Sequence, residues 1–196
     1  MSLLDITGLS HTYGDSCLYS DSDLSLNHGE HMGIVGQNGT GKSTLIKICT
    51  EQVIPDSGRV VWQPGITIGY LDQYANTHHG MTMERFLKSS FASLYELETK
   101  MTKLYDEAAS ACNMDAQNQA SLYQEELERS GFYSIDTRIA QVVTGLGLTA
   151  IGLSRPLEDM SGGQRAKVIL AKLLLEKPDV LLLDEPTNFL DKEHVE

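Results

Sequence analysis

The sequence predicts an α/β fold with an antiparallel β portion at its N-terminus and a block of helices set into the chain, and three observations carry this. HMGIVG runs straight into the glycine-dense GQNGTGKST and then into KSTLIKICTE, a succession of strand, loop and helix beginning at His31. Residues 81–155 repeat apolar side chains at helical spacing with few breakers. A strongly apolar VLLL run then ends on Asp184, as a strand buried on both faces would.

In chain order, Leu3 to Leu26 reads as two short strands joined through YGD, with CLYSDSDLSLN alternating as one strand of an antiparallel pair. HMGIVG is expected to be a short buried strand, KSTLIKICTE a helix, and PDSG the turn that closes it. GRVVW and ITIGYL follow as two more short strands around QPG. Phe86, Leu87, Leu94, Leu97, Met101, Leu104 and Tyr105 mark a long helix or a kinked pair. ACNMDAQNQA is expected as the turn of a helical hairpin, and SLYQEELERSG as its return helix. IDTRIAQVVTGLGL adds a helix capped by Gly147, and DKEHVE opens another. The divisions expected are a β portion and loop half over 1–80, a helical subdomain over 81–156 with a hairpin over about 83–129, and a third segment over 157–196.

A chain of 196 residues supports one α/β core with a satellite rather than two full domains. No apolar run is long enough to cross a bilayer, and MSLLDITGLS lacks the basic and apolar regions of a secretory signal, so the chain reads as cytoplasmic. Cys17, Cys49 and Cys112 are far apart and read as reduced packing residues. A net charge of −12 repels phosphate backbones and argues against broad nucleic-acid binding; a bound anion must be held locally. His11, His28, His31, His78, His79 and His194 have no ligand spacing and read as loop or capping residues.

Gly36, Asn38, Gly39, Thr40, Gly41, Lys42, Ser43 and Thr44 form a phosphate-binding loop by spacing and context. Its glycines let successive N–H groups point inward, Lys42 adds a cation, and Ser43 can ligate Mg²⁺. The alternative is a plain glycine turn with a capping serine. Asp184 at the end of the VLLL strand suits a metal, usually through water, and Glu185 suits a water-orienting base. Ser161 can cap a helix whose Gly162 and Gly163 leave amides uncovered, a second anion device made without basic side chains.

GQNGTGKST, Gln73 in YLDQ, MSGGQR, VLLLDEPTN and FLD, in this order over nearly the whole chain, resemble an ABC-type ATPase domain. The resemblance implies a P-loop NTPase core that binds ATP and Mg²⁺. It implies a head-to-tail pairing in which SGGQ of one domain closes on the loop of a second. By position, Lys42, Ser43 and Thr44 belong to the Walker A loop, Asp184 to Walker B, and Glu185 is the catalytic glutamate. Gln73 is the Q-loop residue sensing Mg²⁺ and water, Ser161, Gly162, Gly163 and Gln164 are the signature, and Asp191 is the D-loop acid. Tyr13 matches the adenine-stacking aromatic; the alternative is an edge aromatic packing on its own hairpin.

DEPTNFLD is closest in pattern to the ABC-F group, twin ATPases that act on ribosomes, and implies a role in translation or antibiotic protection. The long interval from Gln73 to Ser161 leaves room for that group's inserted arm at 83–129, whose apolar stripe also reads as plain hairpin core. Phe189 and Met160 depart from the family pattern. The family's next strand and switch histidine lie beyond Glu196, so the chain is expected to be the front portion of a C-terminally incomplete ATPase, or to have that gap filled by a neighbour. A transporter's energising subunit and a nucleotide-binding module without turnover are the rival readings.

Overall fold

A computed structural model describes residues 2–71, 80–111 and 113–184. They form two compact units, one from the described residues up to 71 together with 178–184, and the other from those between 80 and 177.

The first unit is built on β1 (Ser2–Tyr13) and β2 (Ser16–Asn27), antiparallel, with β3 (Ser57–Trp62) antiparallel on the other side of β1. β1 alternates so that Leu4, Ile6, Leu9 and His11 are buried while Asp5 and Thr7 are not. Register shifts interrupt the β1–β2 ladder, and at one of them the Asp23 carboxylate accepts the Gly8 N–H at 2.7 Å. Helix α1 (Lys42–Cys49) lays Leu45, Ile48 and Cys49 on Leu4, Ile6 and Leu9. Each such side chain contributes about 1.5–3 kcal/mol on burial. The Trp62 Nε1–H bond to the Cys49 carbonyl, 2.8 Å, adds only ~1 kcal/mol. Packing therefore seats the helix, and the indole bond fixes its C-terminal end.

A second, parallel pair joins β4 (Ile68–Tyr70) to β5 (Val180–Leu182). Asp179 aligns the pair at its start: its Oδ2 accepts both the N–H and the hydroxyl of Thr67 at 2.8 Å, and the Val180 N–H donates to the Thr67 carbonyl at 3.1 Å.

The second unit is helical: α2 (Met83–Lys88), α3 (Ala92–Ala111), α4 (Met114–Arg129), α5 (Ile135–Gly145) and α6 (Gly162–Glu176). Thr82 caps α2 by accepting the Arg85 N–H, and Asn113 caps α4 by accepting from Asp115 and Ala116. The Tyr105 hydroxyl reaches Gln124 Oε1 at 2.8 Å from α3 to α4. Gly147, at φ 66°, ends α5 in a Schellman turn: Leu148 N–H bonds to Val143 O at 2.9 Å and Gly147 N–H to Thr144 O at 3.1 Å. Lys172 is buried on α6, with Nζ 2.7 Å from Ser89 Oγ, 2.9 Å from Glu176 Oε1 and over the Phe86 ring.

Several expectations change. β1 and β2 are long rather than short, twelve residues each, because a bulged ladder accommodates the Asp and Gly residues within them. HMGIVG is not a buried strand: Met32, Ile34 and Val35 are exposed, Val35 at 96%, and among the described residues no strand pairs with this segment. β5 takes β4 as its partner instead. The hairpin turn is far tighter than ACNMDAQNQA, since α4 begins at Met114 once Asn113 has capped it. Cys17 is exposed rather than packed. His11 is a buried strand residue, its Nδ1 3.7 Å from Asp56 Oδ1. Cys112, His78, His79, His194, Phe189 and the helix expected from DKEHVE lie outside the described residues.

Candidate nucleotide-binding site

Residues 36–43 curl between the end of HMGIVG and α1. Lys42 Nζ turns back and donates to the carbonyls of Gly36 and Gln37, both at 2.9 Å, so the lysine rests on the loop's own backbone. Thr40 ties the turn by donating its hydroxyl to Gln37 O at 2.9 Å. Gly41 is the N-cap of α1 in the left-handed region, φ 98°, and no side chain caps the helix there. This arrangement suits an anion: among the described residues the cation rests on neutral carbonyls, and the helix start has amides with no side-chain cap.

The loop forms one wall of a cleft of about 310 Å³, large enough for a small ligand. Tyr13, Asn38, Gly39, Gly41, Lys42, Ser43 and Thr44 line it, so the expected base-stacking aromatic and most of the expected phosphate residues meet on one surface. Tyr13 lies at the end of β1 with its side chain 75% exposed. That exposure suits a stacking platform more than an aromatic packed on its own hairpin.

Ser16 and Leu18 of β2 complete the wall and were not singled out in the sequence. For Leu18 the alternation of CLYSDSDLSLN was the signal, but it could not say which face met the loop, and Ser16 lies just before that run. Tyr19 was missed as well, and its hydroxyl donates to the Gly41 carbonyl at 2.6 Å.

Asp184 follows β5 and is half-buried. Gln73, Glu185 and Asp191 lie outside the described residues.

In the helical unit, Ser161 caps α6 with a capping box. Its hydroxyl accepts the Gln164 N–H at 3.2 Å, while Gln164 Oε1 accepts the Ser161 N–H at 3.1 Å. Gly162 and Gly163 open onto space, since a Cβ on either would meet nothing within 4 Å.

Burial holds the Cys49 thiol up at about 11, so the cysteine that ends α1 is an inert packing group at neutral pH.

A glycine loop feeding a helix, a lysine resting on that loop and an aromatic across the cleft define a P-loop nucleotide-binding domain. The chain belongs to the family described as ABC transporter, which matches residues 19–188. It is 42% identical over its whole length, and over 38% of the relative's, to the uncharacterized ABC transporter ATP-binding protein YfmM of Bacillus subtilis. It is 34% identical to the tylosin resistance ATP-binding protein TlrC of Streptomyces fradiae, over 99% of this chain and 36% of that protein. Among solved structures, the archaeal ribosome recycling factor aABCE1, in complex with ribosomal stalk protein aP1, aligns with a TM-score of 0.64. That alignment has 26% identity and covers 99% of this chain and 29% of that one. The chain thus spans just over a third of the length of these two curated relatives. Among the described residues no helix is long and apolar enough to cross a membrane.

Proposed function

We propose that the chain is the ATP-binding and ATP-hydrolysing domain of an ABC-F type protein that works on the ribosome in the cytoplasm. The observation that carries this reading is the cleft, which brings Tyr13, Lys42 and Ser43 onto one surface at the open start of α1. Lys42, Ser43, Thr44 and the amides around Gly36, Asn38, Gly39, Thr40 and Gly41 hold the phosphates, and Tyr13 stacks on the base. Ser43, Gln73 and Asp184 would hold Mg²⁺, and Glu185 would orient and deprotonate the attacking water. ATP with Mg²⁺ supplies the terminal phosphoryl group lost to that water. The partner is a second ABC ATPase domain, head to tail. Ser161 to Gln164 close on its loop, Asp191 is the D-loop acid by motif position, and alternate closing and opening is the mechanical output. DEPTNFLD supports the ABC-F branch, and the likenesses to a tylosin resistance protein and a ribosome recycling factor support a role in translation, with antibiotic protection as its finer form.

Phosphate release by the full-length protein and its Glu185→Gln variant tests the chemistry. A fall of about 100-fold or more is expected for a lost general base, and equal rates would remove Glu185 from the mechanism. With ATP, the same variant should co-sediment with ribosomes. If it stays in the supernatant, the translation role is wrong and the transporter-subunit reading takes its place.

A further inference from the structure

We infer that Tyr19 is the positioning residue of the nucleotide cleft, fixing through its hydroxyl the point where the glycine loop passes into α1. This rests on the reading that loop 36–43 grips a nucleotide. Tyr19 sits in β2, half-buried, with its ring against the core of Leu4, Ile6 and Leu9, and from there its Oη donates to the Gly41 carbonyl at 2.6 Å. The same carbonyl accepts the first ladder bond of α1, from the Leu45 N–H at 2.9 Å. Gly41 O therefore has a partner from the helix and another from the core, a placement no loop carbonyl could keep by itself.

The consequence follows from the peptide plane. The Gly41 carbonyl and the Lys42 N–H belong to one rigid trans unit and point in opposite directions, so a clamp on the oxygen also aims the amide. Lys42 is also the residue whose ammonium rests on the loop. Tyr19 thus orients a phosphate donor without itself lining the cleft. Its strand neighbours Ser16 and Leu18 do line it, so a single strand carries both the wall on the Tyr13 side and the bolt on the phosphate side. Burial keeps the phenol protonated by raising its pKa, and a phenol that keeps its proton remains a donor across the physiological range.

The chain also gives up space for this contact. A Cβ at position 41 would stand 2.8 Å from the Tyr19 hydroxyl and 3.3 Å from Leu18 Cβ, so the phenol occupies the volume a side chain there would need.

The test uses the full-length protein and three forms, wild type, Tyr19→Phe and Lys42→Ala, with Mg-ATP affinity measured by calorimetry and amide hydrogen exchange measured without nucleotide. Tyr19→Phe keeps the ring in the core and removes only the donor. It should weaken ATP binding roughly fivefold, the scale of one hydrogen bond, and speed exchange at residues 41–44 while β1, β2 and β3 keep their protection. Faster exchange throughout the three strands would make Tyr19 a plain core residue and overturn the inference. Unchanged affinity for Tyr19→Phe, with Lys42→Ala losing binding, would sink the role of Tyr19 alone. Unchanged affinity for Lys42→Ala would bring down the reading of the loop, and this inference with it.

Discussion

Helices α1 and α6 both start on glycine-rich turns, and their first turns are built in opposite ways. At α6, Ser161 and Gln164 exchange side-chain and backbone bonds, so the helix start satisfies two of its amides itself. At α1, Gly41 offers no side chain at all, the start is held from behind by Tyr19, and Lys42 is parked on carbonyls of its own loop. A capping box makes a helix end stable without a ligand; an end that is uncapped and clamped through a carbonyl keeps its amides available to one. The comparison teaches that of the two anion devices read from the sequence, the loop is the one preorganised for a ligand. At the signature turn the Ser161 hydroxyl already has a use, and only the Gly162 and Gly163 end of the turn stays open.

The largest expected effect separates the two by backbone conformation. Gly41→Ala must place a Cβ at φ 98°, which costs ~1–2 kcal/mol by itself, and it must displace the Tyr19 hydroxyl 2.8 Å away. Its melting temperature should fall and its ATP affinity should fall further, because the clamp and the loop move together. Gly162→Ala, with nothing within 4 Å and an ordinary helical position, should leave the melting temperature nearly unchanged. If the two variants melt alike, the contrast between the helix starts is wrong.

The middle effect concerns the box. Ser161→Ala should destabilise by about 1 kcal/mol, equivalent to about 2–4 °C in Tm for a chain of this size, whereas Ser161→Gly should lose only a few tenths. Thermal melts without nucleotide check this. No measurable loss for Ser161→Ala would show that the hydroxyl bond contributes little at α6.

How much of this was legible follows from the range of each interaction. The loop spacing, the Ser161 cap and the Gly147 terminus are local patterns, and local patterns survive in a single sequence. The cap at Asn113 was local too, yet the polar run around it was read as turn, since Asp, Asn and Gln are tolerated on an exposed helix face. HMGIVG was misread because its apolar character was taken to settle burial, when burial requires a neighbouring strand and β5 pairs elsewhere. The reach of Tyr19 to Gly41, like the way Ser16 and Leu18 face the cleft, depends on how β2 lies against α1. Such a register is set by tertiary packing, and no spacing in the chain encodes it. Gln73, Glu185 and Asp191 stay where the motifs alone put them.

The smallest effect adds a third kind of cap, one that titrates. Asp179 does for the β4–β5 pair what Ser161 does for α6, but with a carboxylate: the Thr67 N–H and then the Thr67 hydroxyl hold its pKa below the usual carboxylate range. A folded-state pKa below the unfolded value means that the contribution is present above the unfolded value and fades as pH falls through the folded one. Asp179→Asn should therefore lower the melting temperature slightly at pH 7. The gap to wild type should shrink below about pH 4, the unfolded aspartate range, whereas the gap for Ser161→Ala, a neutral hydroxyl, should have no such dependence of its own. Melting all three proteins at a series of pH values measures both gaps. Should the Asp179→Asn gap hold constant into acid while the Ser161→Ala gap closes, the carboxylate would not be working as a charged cap, and the distinction between titrating and neutral caps would fail.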